Sequence, residues 1–235
     1  VNKFRLIVPA AGTSRRFRDA GYATPKPDLV IEFNGEKKKM LDWVLDEIPF
    51  SAVGPVVIAA HPHSVGPDAP HCSIVVHNSR GQAHAVLCAL DATTPERFAD
   101  VPVLVMNCDM VICLEDIVRT CEQVSYNSAD VGILTTESKS EAYSYVNSFP
   151  FPTRFAEKRA ISAHAMVGAW AFRSSRQLRD ALQFVCRNHN EPYLSAALAK
   201  MSAVFKCAHA SSFLDWGTPE SIAASGARIV DGDAA

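Results

Sequence analysis

The chain lacks the features that would divide it or tether it. No Ser/Gly-rich or charged low-complexity tract interrupts it, and no segment recurs with a period of about 20 to 50 residues, so linkers, solenoids and propellers are excluded. Its 11 glycines and 14 prolines are scattered, and the 235 residues read as a single domain long enough to bury a full core. No apolar run approaches the roughly 20 residues that cross a bilayer, and no basic opening segment precedes an apolar one. A cytoplasmic protein without membrane contact is the expectation. Charge of one sign is missing as well: 23 basic side chains face 25 acidic ones, a net charge of -2, which leaves no footprint for nucleic acid. The densest basic cluster, Glu36, Lys37, Lys38 and Lys39, reads as a solvated turn, with a phosphate-facing patch as the alternative. The seven cysteines stand singly with no Cys-x-x-Cys pair, which predicts reduced, mostly buried thiols and neither a disulfide framework nor a structural zinc site.

What the chain does have is a globular composition, 48% hydrophobic and 20% charged, and a repeated alternation of short aliphatic runs with helical stripes. Residues 6–8, 56–59, 74–76 and 103–106 read as strands buried on both faces, as parallel sheets require. Met40, Leu41, Val44, Leu45 and Ile48 form one apolar helical stripe, Ala83, Val86, Leu87 and Leu90 a second, and Leu114, Ile117, Val118 and Cys121 a third. That order is the grammar of an open α/β sheet, in which ligands bind beyond the carboxyl ends of the strands. After about residue 130 the pattern changes. Strands are predicted at 131–134, 143–146 and 166–172, a loop at Phe149, Pro150, Phe151 and Pro152, and helices at 175–186 and 193–201. This second part reads as an antiparallel extension for a second substrate.

Five segments carry chemistry. Directly after the first strand come Ala10, Ala11, Gly12, Thr13, Ser14, Arg15, Arg16 and Phe17. Small residues let the backbone approach a ligand, Gly12 is free to take a positive φ, and successive N-H groups can then converge on phosphate oxygens, with the arginines as bidentate donors. The alternative is an ordinary strand-to-helix turn; neither the dinucleotide fingerprint nor a Walker A loop is present. Pro25 and Pro27 hold Lys26 in an extended segment, where its ammonium could meet a phosphate or simply mark a surface turn. Asp109 follows the strand at 103–106, and Asp215 lies in the apolar stretch Phe213, Leu214, Asp215, Trp216. Two carboxylates from separate strands suit Mg²⁺, whose other ligands are phosphates and waters. Thr218 followed by Pro219 is an N-cap and N1 pair, which leaves Asp215 unaccounted for by capping. Gly81 permits close approach, and Gln82 offers the donor and acceptor that a pyrimidine edge requires, whereas His84 reads as a helix-start or core residue, with a pocket residue as the alternative. Trp43, Trp170 and Trp216 read as core or pocket residues.

In order and spacing these elements resemble the sugar-phosphate nucleotidyltransferases, the nucleoside-diphosphate-sugar pyrophosphorylases, over nearly the whole chain. Ile7 to Gly12 with Arg16 and Phe17 looks like the family's signature loop, and Pro25, Lys26 and Pro27 like its Pro-Lys element. The segment from Gly81 to Val86 is similar to its second glycine motif, and Asp109 and Asp215 stand at the places of its metal-binding aspartates. Glu157 with Lys158 resembles its Glu-Lys element, and the strand around Gly168 its later glycine-containing strand. The resemblance implies a Rossmann-like mixed α/β sheet of the nucleotidyltransferase (GT-A-like) type, with helices on both faces and a small antiparallel extension. It implies that residues 1–130 mainly bind nucleotide and that residues 131–235 mainly bind the acceptor and add the second metal ligand.

On that resemblance Arg16 and Lys26 grip the triphosphate, and Ala10 to Ser14, Gly81, Gln82 and Asp109 complete the nucleotide site. Glu157, Lys158 and Gly168 meet the acceptor, Lys158 at its phosphate, and Asp109 and Asp215 hold Mg²⁺. The implied reaction transfers an NMP group from CTP, UTP or dTTP to a sugar 1-phosphate, for nucleotide-sugar and cell-surface polysaccharide precursor synthesis such as capsule or lipopolysaccharide. No general base is required, because the acceptor phosphate is already anionic at neutral pH. Ser14 replaces a second loop glycine, which bears on how the triphosphate lies, and there is no sign of a left-handed β-helix repeat; in the acceptor region Arg159 replaces a proline after the Glu-Lys pair, and the stretch from Phe149 to Phe155 is rich in aromatics and proline. They keep a cytidylyltransferase for a non-sugar phosphate, phosphocholine-like or a phosphorylated amino-acid derivative, as the alternative. A catalytically silent nucleotide sensor is the non-enzymatic one. A glycosyltransferase is disfavoured because Met110 and Val111, not a second aspartate, follow Asp109. Oligomeric state, a dimer included, stays open, and no partner protein is required.

Overall fold

In the computed structural model, the described residues are 4–48, 53–64, 72–76, 78–93, 100–126, 128–147 and 153–230. The four aliphatic runs form β1 (Phe4–Ala10), β4 (Val53–Ala60), β5 (Cys72–Val76) and β6 (Val103–Met106). They lie parallel in the spatial order β6-β1-β4-β5. From β1 the chain steps outward to β4 and β5, then returns to the opposite side of β1 for β6. The connections leaving β1 and β6 therefore diverge at their carboxyl ends, the switch point at which open α/β sheets bind ligands.

Alternation along β1 sends Leu6, Val8 and Ala10 to one face, where they pack with α2 (Met40–Asp46) and α4 (Leu114–Ser125). Ile7 faces the other side, covered by α3 (Gln82–Thr93), α5 (Ser175–Asn188) and α6 (Leu194–Leu198). Helices thus cover both faces. β5 is the exception among the four runs: it ends the sheet, and Ile74 is 43% exposed.

The second part of the chain extends the same sheet. β11 (His164–Phe172) runs antiparallel to β6, and its other edge carries β8 (Val131–Glu137), which pairs in turn with β12 (Phe205–His209). Where β11 outruns β6, its freed edge pairs with β9 (Ser144–Asn147), which is followed by β10 (Arg154–Ala156). A fork therefore opens just past the end of β6. The predicted loop at 149–152 lies outside the described residues.

Several expectations are corrected. Glu36–Lys39 is not a turn but β3, paired with β2 (Val30–Phe33) across a turn whose Asn34 and Gly35 both take positive φ. Lys38 there holds Glu36 and Asp46 and lies over Trp43, while Lys37 meets Glu32, so two of the three lysines pair with carboxylates of the hairpin and of α2. β14 (Arg228–Ile229) completes this small sheet. The helix predicted at 193–201 is confined to Leu194–Leu198. All seven cysteines are free as expected, but only Cys108 and Cys186 are fully buried. Trp216 is fully enclosed among the rings of Phe33 and Trp43 at 6.0 and 6.2 Å, each edge-on, the arrangement that aromatic quadrupoles favour. Among the described residues, no helix is long and apolar enough to cross a membrane.

Candidate active site

At the switch point lies a cleft of about 630 Å³, and most of the residues singled out in the sequence line it: Ala11, Gly12, Thr13, Arg16, Lys26, Gly81, Gln82, Asp109, Glu157 and Asp215. Ala10, Ser14, Lys158 and Gly168 do not. Ala10 is the buried end of β1. The loop after β1 turns into α1 (Arg15–Asp19), anchored by Phe17 in the aromatic core and presenting Arg16 outward. Contrary to expectation the left-handed residue of this loop is Ser14, at φ 52°, and Gly12 is not among the residues of positive φ.

The two aspartates meet through a short ladder absent from the sequence reading. β7 (Met110–Ile112) follows Asp109 directly and pairs antiparallel with β13 (Phe213–Asp215), Asp215 lying opposite Met110. The Trp216 N-H donates to the Asp109 carbonyl at 2.8 Å, closing the ladder. Gly217 then fits between the carboxylates. A β-carbon there would stand 2.9 Å from Asp215 Oδ1 and 3.4 Å from Asp109 Oδ2, so both oxygens border one small volume. Thr218 caps α7 (Pro219–Ala224) reciprocally with Ser221, as its pairing with Pro219 predicts, leaving the Asp215 carboxylate to the cleft.

Each carboxylate is held. Lys26 Nζ donates to Asp109 Oδ2 at 2.6 Å, in a pair whose side chains are 21% and 15% exposed. Burial works against the Lys26 charge, but Asp109, Cys108 and Asp215 outweigh it and raise its pKa above the ordinary lysine value. Asp215 Oδ2 accepts from the Tyr143 hydroxyl at 2.8 Å and Oδ1 from the Gly217 N-H at 2.8 Å. Burial, together with Asp215, pushes the Tyr143 phenol upward as well, so it stays a neutral donor. Burial lifts the neighbouring Cys108 thiol to about 11, which removes it as a nucleophile.

On the opposite wall Gly81 packs against Pro192, whose carbonyl a β-carbon at 81 would approach to 2.8 Å. Gln82, at the start of α3, donates from Nε2 to Asn107 Oδ1 at 2.6 Å and accepts from the Leu194 N-H at 3.4 Å. Its carboxamide is thereby oriented, with one N-H and one lone pair left for a ligand. His84 accepts the Arg80 N-H at 3.2 Å through Nδ1, a helix-start role. Glu157 accepts from the hydroxyls of Ser144 and Ser195. Lys158, exposed and at φ 50°, reaches the Tyr193 hydroxyl at 3.5 Å from the cleft's rim. Gly168 is structural: at φ +80° it makes the irregularity in β11, accepts the Asn107 N-H at 2.9 Å, and would bring a β-carbon to 2.8 Å from Met110 Cγ.

The sequence reading missed Tyr143, Glu191 and Tyr193 as lining residues and gave Asn107 no role. Asn107 was findable, since it precedes Asp109 just past the end of β6; Tyr143 and Glu191 sit at bends and Tyr193 at the N-cap of α6, with no motif around them.

A small-residue loop at a parallel switch point, facing two carboxylates and a lysine, defines the class: an NTP transferase. The chain belongs to the family of the MobA-like NTP transferase domain, whose model matches residues 6–183. Solved structures share the fold. One is a nucleoside-diphosphate-sugar pyrophosphorylase from Vibrio cholerae RC9, at 17% identity, 93% of this chain, 98% of that one and a TM-score of 0.70. A UDP-glucose pyrophosphorylase from Acinetobacter baumannii has 15% identity over 95% and 92% of the two chains with a TM-score of 0.74, and a UTP-bound form from that organism has 15% identity, the same coverage and a TM-score of 0.72. No curated protein sequence matches the chain. The nucleotidyltransferase fold and family are thus those the sequence resemblance implies.

Proposed function

We propose that the protein transfers a nucleoside monophosphate from an NTP to a phosphorylated small molecule, a sugar 1-phosphate, and releases pyrophosphate. The observation that carries this is the convergence of Gly12, Arg16, Lys26, Asp109 and Asp215 on one cleft at the sheet's switch point. The obstacle to the reaction is electrostatic, since an anionic acceptor must approach an anionic α-phosphate, and a site of positioned cations and donors answers it.

Arg16 and the loop N-H groups bind the triphosphate, and Lys26, already within the cleft, stabilises the departing pyrophosphate. Asp109 and Asp215 bordering one volume beside Gly217 offer the donor set of Mg²⁺, one or two carboxylates with the remaining ligands from phosphate and water. When bound there, the ion neutralises charge between the two phosphates. Tyr143 keeps the Asp215 carboxylate in place. Gln82 and Gly81 meet the base, a pyrimidine, so CTP, UTP or dTTP is the donor. Glu157 accepts hydroxyls of the acceptor, and Lys158 at the rim meets its phosphate. Cell-surface polysaccharide precursor synthesis is the setting this reaction serves.

A second reading is favoured by Glu191, Glu157, Tyr193 and Trp170 all lining the same cleft, the two carboxylates acting on the Tyr193 phenol. Carboxylates beside aromatic faces also suit an ammonium head, as on an amino-alcohol phosphate. Pyrophosphate release from each of the four common NTPs, crossed with sugar 1-phosphates and amino-alcohol phosphates over a magnesium series, tests both. Release only with a pyrimidine NTP and a sugar 1-phosphate is the expected pattern. Release only with an amino-alcohol phosphate selects the second reading, and none with any pair refutes both.

A further inference from the structure

Ser14 is out of place twice over. It holds left-handed backbone, φ 52° and ψ 32°, which a side-chain-bearing residue adopts at a cost and glycine freely. It also stands at the N-cap of α1, where a serine hydroxyl ordinarily accepts from its own helix, yet its side chain makes no such bond. Its carbonyl alone serves α1, accepting from Phe17 and Arg18 at 3.0 Å each. The hydroxyl oxygen instead accepts the Lys26 backbone N-H at 2.8 Å, twelve residues along the chain.

That N-H is a particular one. Lys26 opens a short 3-10 helix, Lys26–Asp28, and the first N-H of a helix has no partner within it. Pro25 and Pro27 carry no N-H, so Lys26 supplies the only backbone donor of the three. Ser14 thus caps the wrong helix, and in doing so it fastens the segment bearing Lys26 to the phosphate loop. From Lys26 the connection runs through its ammonium to Asp109. Ser14 itself does not line the cleft.

We infer that Ser14 is a positioning residue for Lys26: its hydroxyl hangs the Lys26 backbone from the loop after β1, so that the loop's phosphate donors and the Lys26 ammonium hold a fixed separation. A glycine at this position would take the same backbone more readily but would lack the acceptor. The hydroxyl is therefore the reason a strained residue is kept. The inference rests on the phosphate-binding reading of loop and lysine, and its test separates the two.

Ser14→Gly relaxes the backbone and deletes only the acceptor, and Ser14→Ala deletes it while keeping the strain. Both are expected to speed hydrogen exchange at the Lys26 amide, read by NMR, by about tenfold or more. Both should lower kcat for pyrophosphate release about tenfold, the effect of a slightly misplaced charge, with KM for the NTP within about twofold. The melting temperature of Ser14→Gly should stay level or rise. In a Lys26→Met background, Ser14→Gly should change kcat no further. Unchanged exchange at Lys26 overturns the inference, as does an equal loss of kcat with and without Lys26, which would make Ser14 a direct nucleotide ligand. If the wild-type protein releases no pyrophosphate with any NTP, the functional reading fails, and the exchange rates still decide whether Ser14 holds Lys26.

Discussion

At the scale of single residues, the cleft works by holding charges that would otherwise be costly to bury. Asp109 and Lys26 neutralise each other across 2.6 Å, so removing either strands the other in a partly closed site. Asp109→Asn, which preserves shape, is therefore the better probe than Asp109→Ala. Pyrophosphate release should fall about a hundredfold or more, the usual worth of a positioned electrostatic group, with the far-ultraviolet circular dichroism unchanged. Retention of full turnover would remove Asp109 from the mechanism. Tyr143 donates to the second carboxylate, the proposed magnesium ligand Asp215, and on that proposal Tyr143→Phe should raise the magnesium concentration needed for half-maximal rate by about tenfold, the usual cost of losing an outer partner of a metal ligand. An unshifted magnesium dependence would mean that Gly217 alone orients Asp215. Both aspartates were legible in the sequence because a carboxylate in an apolar stretch demands an explanation. Tyr143 was not, because nothing in the sequence shows a tyrosine in a turn which carboxylate it will meet.

At the scale of elements, the site depends on β7 and β13, two three-residue strands too short to carry an apolar signature. Their pairing puts Asp215 opposite Met110 and leaves Gly217 bordering both carboxylates. Gly217→Ala should cut turnover about tenfold or more by pushing Asp215 Oδ1 aside, while changing the melting temperature little. Gly168→Ala should do the reverse. With φ +80° and Met110 Cγ at 2.8 Å from the new β-carbon, it should cost about 1 to 3 kcal/mol of stability in a denaturant titration. The elements β1, β6, α4 and α5 were legible from their apolar pattern, since each buries a full stripe or run. The β2 and β3 hairpin was hidden because its lysines suggest solvent, and their pairing with Glu32, Glu36 and Asp46 is a tertiary fact.

For the whole molecule, ligand binding and proton binding both bear on stability. An NTP with magnesium that binds the folded chain alone should raise the melting temperature by several degrees at a hundred times its Kd, where linkage supplies about 2.7 kcal/mol. Differential scanning fluorimetry with the four NTPs measures this, and equal, null shifts for all four would contradict a nucleotide site. Alkaline pH should destabilise the protein. Burial and Glu191 push Tyr193 up to about 12, and Lys26 and Tyr143 are raised too. Each keeps its proton in the folded chain at pH values where the unfolded chain has begun to lose it, about 10 for tyrosine and lysine. Their stabilisation is thus complete well below pH 10 and diminishes as pH rises through and above it, for Tyr193 until about 12. Urea midpoints at pH 8, 10 and 11 should fall in that order, and Tyr143→Phe should flatten the decline.

By itself the sequence determined the order of the aliphatic strands and the apolar-striped helices, the switch-point loop and the charged residues that need an explanation, because aliphatic periodicity and the cost of burying a carboxylate are local quantities. Only the tertiary structure decided which of those residues share a cleft. It moved the left-handed position from Gly12 to Ser14, packed Gly168 closely against Met110 and Asn107, and set Lys26 on Asp109. The physical reason is the same each time. A backbone conformation or an ion pair is chosen by what the neighbouring segment places within about 3 Å, the reach of a hydrogen bond, and that segment comes from elsewhere in the chain.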